Sequence, residues 1–248
     1  MKKFYDLVFK FLFLIGYFKK VLKSDRNYKF IYDDSTKKNV LNALKNNRLL
    51  IASNHMTLID SSLIQLFILE VIGGTTGILK NNFRPLLWNL PAIENIKLLK
   101  SQPGSKSKLF YKYFRVLPIN RNDSDESAKT LKQAANMTST GSIFIIFPEA
   151  GRTRRNEFSE EDMTPGAAKI LLDCEKDCGN LPGLLTIYIR AENQVGHSNL
   201  PVSDNIKIFA EYNDDFQITK EQSSLRKRKN ITTFIGKSII RLQEKFHK

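Results

Sequence analysis

The apolar positions of this chain fall into short unbroken runs, separated by polar stretches in which apolar residues recur with a helical period. Leu49 to Ala52 is one such run, and Ile143 to Phe147 is another in which every residue is β-branched or aromatic. Runs of this kind read as strands covered on both faces. Thr75 to Leu79, Val116 to Ile119, Leu184 to Ile189 and Ile206 to Ala210 read as further strands. Leu63 to Leu69 reads as a buried helix. Asp123 and Glu126 form a capping pair that opens a helix to Met137. A helix over Pro165 to Asp173 follows, and Pro103-Gly104 marks a turn in a loop-rich stretch. Strands alternating with helices predict a single α/β domain with a mostly parallel sheet flanked by helices.

The two ends carry a different pattern. From Lys2 to Lys23, Lys3, Asp6, Lys10, Tyr17 and Lys20 fall along one helical stripe, interrupted by Phe13, with phenylalanines and leucines around it. The charge-free run Phe11 to Phe18 is well short of the ~20 apolar residues that a bilayer span needs. The pattern predicts an amphipathic helix lying in the membrane interface, with its lysines at the headgroups. Lys19-Lys20 stand where a signal peptide would want small residues for cleavage. The chain is thus expected to divide into an interface helix, residues 1–24, and a globular domain, residues 25–248. Near the other end, Ile231, Phe234, Ile235, Ile239, Leu242 and Phe246 make one apolar face bordered by basic residues. That segment reads as a last helix docked on the sheet.

Composition narrows the classes. With 248 residues and 42% hydrophobic content, the chain is large enough for one α/β domain with a full core and is not disordered. A net charge of +14 calls for an anionic counter-surface. No nucleic-acid motif is present and the basic residues gather at amphipathic ends, so the expected partner is a membrane phospholipid surface and not nucleic acid. The expected location is peripheral or monotopic, on the cytoplasmic face of the membrane. Cys174 and Cys178 are spaced for one helix face, and neither a disulfide nor a metal site is expected of them.

The candidate chemistry begins where the Leu49 strand ends, in Ser53-Asn54-His55-Met56-Thr57-Leu58-Ile59-Asp60. A histidine beside an aspartate is what a hydroxyl needs to lose its proton at neutral pH. The imidazole takes the proton, while the carboxylate holds the tautomer and stabilises the imidazolium. On a continuous helix, residues five apart are rotated by roughly 140°. His55 must therefore sit on the turn, with Asp60 reaching back from the helix. Two more strands end in charge: Val116-Leu117-Pro118-Ile119-Asn120-Arg121, and Ile143 to Phe147 followed by Pro148-Glu149-Ala150-Gly151-Arg152-Thr153-Arg154-Arg155. Open α/β sheets place their ligands at such carboxyl ends.

His55 to Asp60, Pro118 to Arg121, Phe147 to Arg152 and Thr164-Pro165-Gly166-Ala167 resemble, in order and spacing, the motif blocks of the glycerolipid acyltransferases, the 1-acylglycerol-3-phosphate O-acyltransferases and their relatives. The resemblance runs from about Leu49 to Ile189. It departs where the family's usual Phe-Pro-Glu-Gly-Thr-Arg is here Phe147-Pro148-Glu149-Ala150-Gly151-Arg152, which drops a threonine hydroxyl. It departs again at Thr164, commonly lysine, and in the final block, Leu184 to Arg190.

The resemblance implies acyl transfer from a thioester, acyl-acyl carrier protein or acyl-CoA, to the free hydroxyl of lysophosphatidic acid. His55 and Asp60 are the expected catalytic pair. Arg121 and Arg152 are expected to hold the acceptor phosphate and Glu149 to orient its glycerol. Backbone N–H groups around Gly151, in the Glu149 to Arg152 turn, are expected to meet the oxyanion. Lys80, at the end of its own strand, is a further phosphate candidate beside the plainer reading of a surface lysine. No metal or other cofactor is expected beyond the donor thioester. Another lysophospholipid, or a lyso-aminolipid, stays open as acceptor. A non-catalytic basic peripheral membrane protein is the contrasting reading, and the intact His55 and Asp60 argue against it.

Overall fold

A computed structural model of the chain describes residues 26–74, 87–93, 115–153, 156–214 and 223–247. The expected interface helix, the Thr75 to Leu79 strand, Lys80, the Pro103-Gly104 turn, Arg154 and Arg155 lie outside the described residues.

The elements are β1 (Lys29–Ile31), α1 (Asp34–Lys45), β2 (Leu49–Ser53), α2 (Asp60–Val71), β3 (Trp88–Asn89), α3 (Ser124–Ser139), β4 (Ile143–Ile146), α4 (Gly166–Cys178), β5 (Gly183–Ala191), β6 (Asn205–Asn213) and α5 (Ser224–Phe246). They build a six-stranded sheet in the order β1-β6-β5-β2-β4-β3. The strands β3, β4, β2 and β5 run parallel to one another. β6 returns antiparallel to β5, and β1 pairs parallel with β6. The carboxyl ends of β2, β4 and β5 therefore lie along one edge of the sheet, where the motif residues begin.

Side-chain alternation explains why the central runs are apolar throughout. Leu49 and Ile51 of β2, Ile143 and Ile145 of β4, and Leu185, Ile187 and Ile189 of β5 pack under α1 and α2. Leu50 and Ala52, Phe144 and Ile146, and Leu184 and Tyr188 face the opposite layer, made by α3, α4 and α5. Ile231, Ile235, Ile239 and Leu242 of α5 are buried in that layer, so the last helix is docked on the sheet. Cys174 is buried and Cys178 exposed on α4, and neither is in a disulfide.

One expected strand is corrected. Val116 to Ile119 joins the sheet only through two isolated bridges, Val116 to Asn89 and Ile119 to Ala92. Pro118 on one side and Pro91 on the other each lack an N–H, so the ladder cannot run continuously. What remains is an interrupted set: Leu117 N donates to Asn89 O and Ile119 N to Pro91 O, both at 2.9 Å. The pattern also left α1 unassigned. That helix buries only Thr36, Val40 and Ala43, a stripe too narrow to stand out in a polar segment.

The start of α3 shows capping directly. The Asp123 side chain accepts from Asp125 N and Glu126 N at 2.9 and 3.0 Å. The reciprocal half of a capping box is missing, because Glu126 instead accepts from Asn120 Nδ2 at 2.7 Å. Asp123→Ala is expected to cost about 1 kcal/mol in unfolding free energy, and Glu126→Ala distinctly less; chemical denaturation of both variants reads the difference.

Candidate active site

The turn after β2 is organised by one buried carboxylate. Asp60 is the first residue of α2 and is 1% exposed. Its Oδ2 accepts from Met56 N at 2.5 Å and Thr57 N at 2.7 Å, and its Oδ1 from Thr57 Oγ1 at 2.5 Å. His55 Nδ1 lies 3.1 Å from the same Oδ2. Since Oδ2 already accepts two backbone N–H groups, Nδ1 carries the proton that faces it, and Nε2 keeps its lone pair. The ring is stacked on Phe147, with centroids 4.1 Å apart and planes 16° from parallel. Orientation is thus fixed by a hydrogen bond on one ring atom and by packing on the ring face.

Asn54 anchors this turn to the sheet. Its side chain donates to Ile189 O at 2.9 Å and accepts from Ile189 N at 2.8 Å, extending the β2–β5 pairing with an amide in place of backbone.

The turn after β4 closes on the histidine from the other side. Glu149 Oε2 accepts from His55 N at 3.1 Å and from Thr153 Oγ1 at 2.9 Å. Thr153 N in turn donates to His55 O at 2.6 Å. Burial pushes the Glu149 carboxyl up to about 7, despite the opposing hydrogen bonds from Thr153 and His55, with Asp162 and Asp60 adding to the rise. Its Oε1 is buried and has no hydrogen-bond partner among the described residues. Ala150, where the family usually has glycine, sits at φ 51°, a left-handed conformation that costs a residue with a Cβ roughly 1–2 kcal/mol.

The loop between β5 and β6 forms the third wall. Ser198 N donates to Met56 O at 3.0 Å and Leu58 N to Asn199 O at 3.2 Å, so this loop lies along the histidine turn. His197 Nδ1 is 2.9 Å from Thr153 O. Arg152 Nη1 donates to Ser198 O and Asn199 Oδ1, each at 3.2 Å. The root of the loop is clamped by Arg190, which is 6% exposed. Its Nε and Nη2 both donate to Gln194 O, the first at 2.8 Å, and its guanidinium lies over the Phe246 ring at 5.4 Å.

The structure therefore brings His55, Asp60, Glu149, Gly151 and Arg152 to one place. Gly151 has open space where a Cβ would be, with nothing nearer than Glu149 O at 3.9 Å. Ala150 N donates to Phe147 O at 3.0 Å, whereas the backbone N–H groups of Gly151 and Arg152 have no hydrogen-bond partner among the described residues. Arg121 follows the carboxyl end of a segment that runs parallel to β3, further along the same edge of the sheet. It is exposed on the turn before α3. Three strand spacings separate that segment from β2, roughly 14 Å. Lys80 lies outside the described residues.

Sequence reasoning missed Thr153, whose hydroxyl serves the Glu149 carboxyl two positions after the family's usual threonine. It missed Asn54, Thr57 and Phe147 as supports, and the whole 194–199 wall. The neighbourhood of His55 within the motif was a signal for the first group. The loop carries no motif.

Comparison with known proteins gives two findings. A family model described as Acyltransferase matches residues 99–189, which takes in Arg121 and the Glu149 turn but not His55 or Asp60. Among solved structures, the fold is similar to the crystal structure of the 1-acyl-sn-glycerophosphate (LPA) acyltransferase PlsC from Thermotoga maritima. The TM-score is 0.52 at 13% identity, covering 96% of this chain and 79% of that one. No curated protein matches.

The Glu149 proton gives a stability signature. The folded protein holds it up to about pH 7, whereas an unburied glutamate releases it near 4.5. Between those values the folded state binds more protons than the unfolded chain, so stability falls as pH rises through the window. Glu149→Gln is expected to flatten that slope in denaturation curves taken across it; parallel curves for variant and wild type would contradict the assignment.

Proposed function

We propose that this chain is an O-acyltransferase of the glycerolipid acyltransferase kind, a reading supported by the Acyltransferase family model over residues 99–189 and by the fold similarity. A fatty acyl group passes from a thioester donor, acyl-acyl carrier protein or acyl-CoA, to the free hydroxyl of lysophosphatidic acid, giving phosphatidic acid. The observation that carries the reading is the buried Asp60 carboxylate on His55 Nδ1 at 3.1 Å. A ring so held presents Nε2 as a base.

His55 Nε2 takes the hydroxyl proton as the acceptor oxygen attacks the thioester carbonyl carbon. The negative charge on the carbonyl oxygen is met by the Gly151 and Arg152 N–H groups. Collapse breaks the C–S bond, and the leaving sulfur takes the proton from the His55 imidazolium to depart as a thiol. Glu149 Oε1, lacking a partner among the described residues, is the atom left to bind a second hydroxyl of the glycerol. Among the described residues Arg152 bonds neutral acceptors only, which suits it to an incoming phosphate. No metal or organic cofactor enters these steps. The acceptor is an amphiphile, so the enzyme works at the cytoplasmic face of a membrane, with residues 1–24 as its interface helix. Among the described residues, no helix is long and apolar enough to cross a membrane.

A second acceptor, another lysophospholipid or a lyso-aminolipid, is given room by the threonine hydroxyl dropped at Gly151 and by the altered final block, Leu184 to Arg190. Incubating the purified protein with labelled donor and a panel of lysolipids separates the readings. Phosphatidic acid is the expected main product, and preferential labelling of another lipid would replace the acceptor.

His55→Ala is expected to lower turnover by about 10²–10⁴-fold with the fold retained. Asp60→Asn should be severe as well, because it removes the charge that stabilises the imidazolium. Retention of more than a tenth of turnover by His55→Ala would remove the histidine from the chemistry. Arg152→Ala should raise the apparent KM for the phosphorylated acceptor roughly tenfold to a hundredfold, with little change for the donor. Loss of donor affinity instead would contradict the phosphate role.

A further inference from the structure

Large apolar side chains that face solvent are not scattered evenly over this protein. Leu58 is 55% exposed, Val195 74%, Leu200 48% and Val202 54%. Leu58 lies on the turn between His55 and Asp60, and the other three lie on the β5–β6 loop that lines the same turn. Leu58 N on Asn199 O at 3.2 Å and the Thr57–Ser198 bridge bring these two segments side by side. Residues 195–202, Val-Gly-His-Ser-Asn-Leu-Pro-Val, carry no Asp, Glu, Lys or Arg. Arginine reaches the loop from both flanks: Arg152 donates to Ser198 O and Arg26 to Pro201 O. The loop's two acids, Glu192 and Asp204, stand at its roots beside the strands.

Arg26 links this patch to the N-terminal end of the described chain. It directly follows the N-terminal amphipathic segment, and its guanidinium is tied to Pro201 near the far end of the apolar loop. Arg26, the first residue after that segment in the described chain, and the apolar loop therefore meet on the sheet's ligand edge.

We propose that Leu58, Val195, Leu200 and Val202 form a second membrane contact, which dips into the outermost hydrocarbon of an anionic phospholipid surface. This rests on the lysolipid-acceptor reading above and extends it. The lipid need not leave the bilayer entirely: with the apolar tips at the acyl boundary, Arg152 stands at headgroup depth and the His55 turn opens beside it. Uncharged apolar loop tips with arginines behind them match that layering of hydrocarbon below phosphate.

Depth-dependent quenching tests this without reference to which acceptor is used. Val195→Trp and Val202→Trp are made in the full chain, with Leu225→Trp as control. Leu225 is 65% exposed and lies at the start of α5, at the opposite sheet edge. Vesicles contain phosphatidylglycerol and phosphatidylcholine, with or without bromine on the acyl chains, and the wild-type signal of Trp88 is subtracted. The loop tryptophans are expected to be quenched by brominated chains and the control not. Absence of quenching at both loop positions, whether the vesicles bind or not, overturns the proposal; with binding intact, the patch would instead be covered by the N-terminal segment or a carrier protein.

A second variant, Leu200→Asp/Val202→Asp, should weaken vesicle binding about tenfold or more. It should leave turnover of a short-chain, soluble acceptor within about twofold. Equal loss on soluble and vesicle-borne acceptor would place the loop in the substrate site and not on the membrane. Failure of the acceptor reading would show only as a different acylated product, with the quenching pattern unchanged.

Discussion

The site depends on how one carboxylate is satisfied. Asp60 is almost wholly buried, and an unpartnered carboxylate there would carry a large desolvation penalty. Two backbone N–H groups, a threonine hydroxyl and an imidazole N–H answer it. Those donors come from three consecutive residues, which can meet one carboxylate only if the chain folds tightly between β2 and α2. The conformation of the turn and the orientation of the histidine are thus consequences of the same buried group. The carboxylate also sits at the amino end of α2, where the helix dipole favours negative charge.

The rest of the edge is assembled on that turn. Its backbone is read from both sides, by the Glu149 turn through His55 N and His55 O and by the β5–β6 loop through Met56 O and Leu58 N. The Glu149 turn brings both a buried carboxyl and Arg152, and the loop holds the Arg152 guanidinium through Ser198 O and Asn199 Oδ1. Arg190, buried with Gln194 O as its main acceptor, keeps the loop at the height where these bonds form. The histidine is held less by its own side-chain contacts than by the main chain on which it stands.

The sheet was legible because β2, β4 and β5 are buried on both faces and so read as unbroken apolar runs. The His55–Asp60 pair was legible because helical geometry forbids the two from meeting unless a turn precedes the helix. Other features left no local trace. α1 hides its role in three small buried residues, and Pro91 and Pro118 turned an expected strand into two bridges. Arg121 matched a motif in sequence, yet its distance from β2 depends on strand order, which no local pattern states. Thr153 replaced a hydroxyl that the motif lacked at Gly151, a substitution visible only once the turn's path was known. The 194–199 wall is made by backbone groups, and backbone recognition leaves almost no signature in side-chain identity.

Asp60 fixes the Nδ1–H tautomer of His55. Nitrogen-resolved NMR of protein labelled at its histidines, compared with Asp60→Asn, measures this most directly. In the neutral His55 ring a protonated, strongly downfield Nδ1–H and a lone pair on Nε2 are expected, with that pattern lost in the variant. A proton found on Nε2 of the neutral ring, or a pattern unchanged by Asp60→Asn, would contradict it.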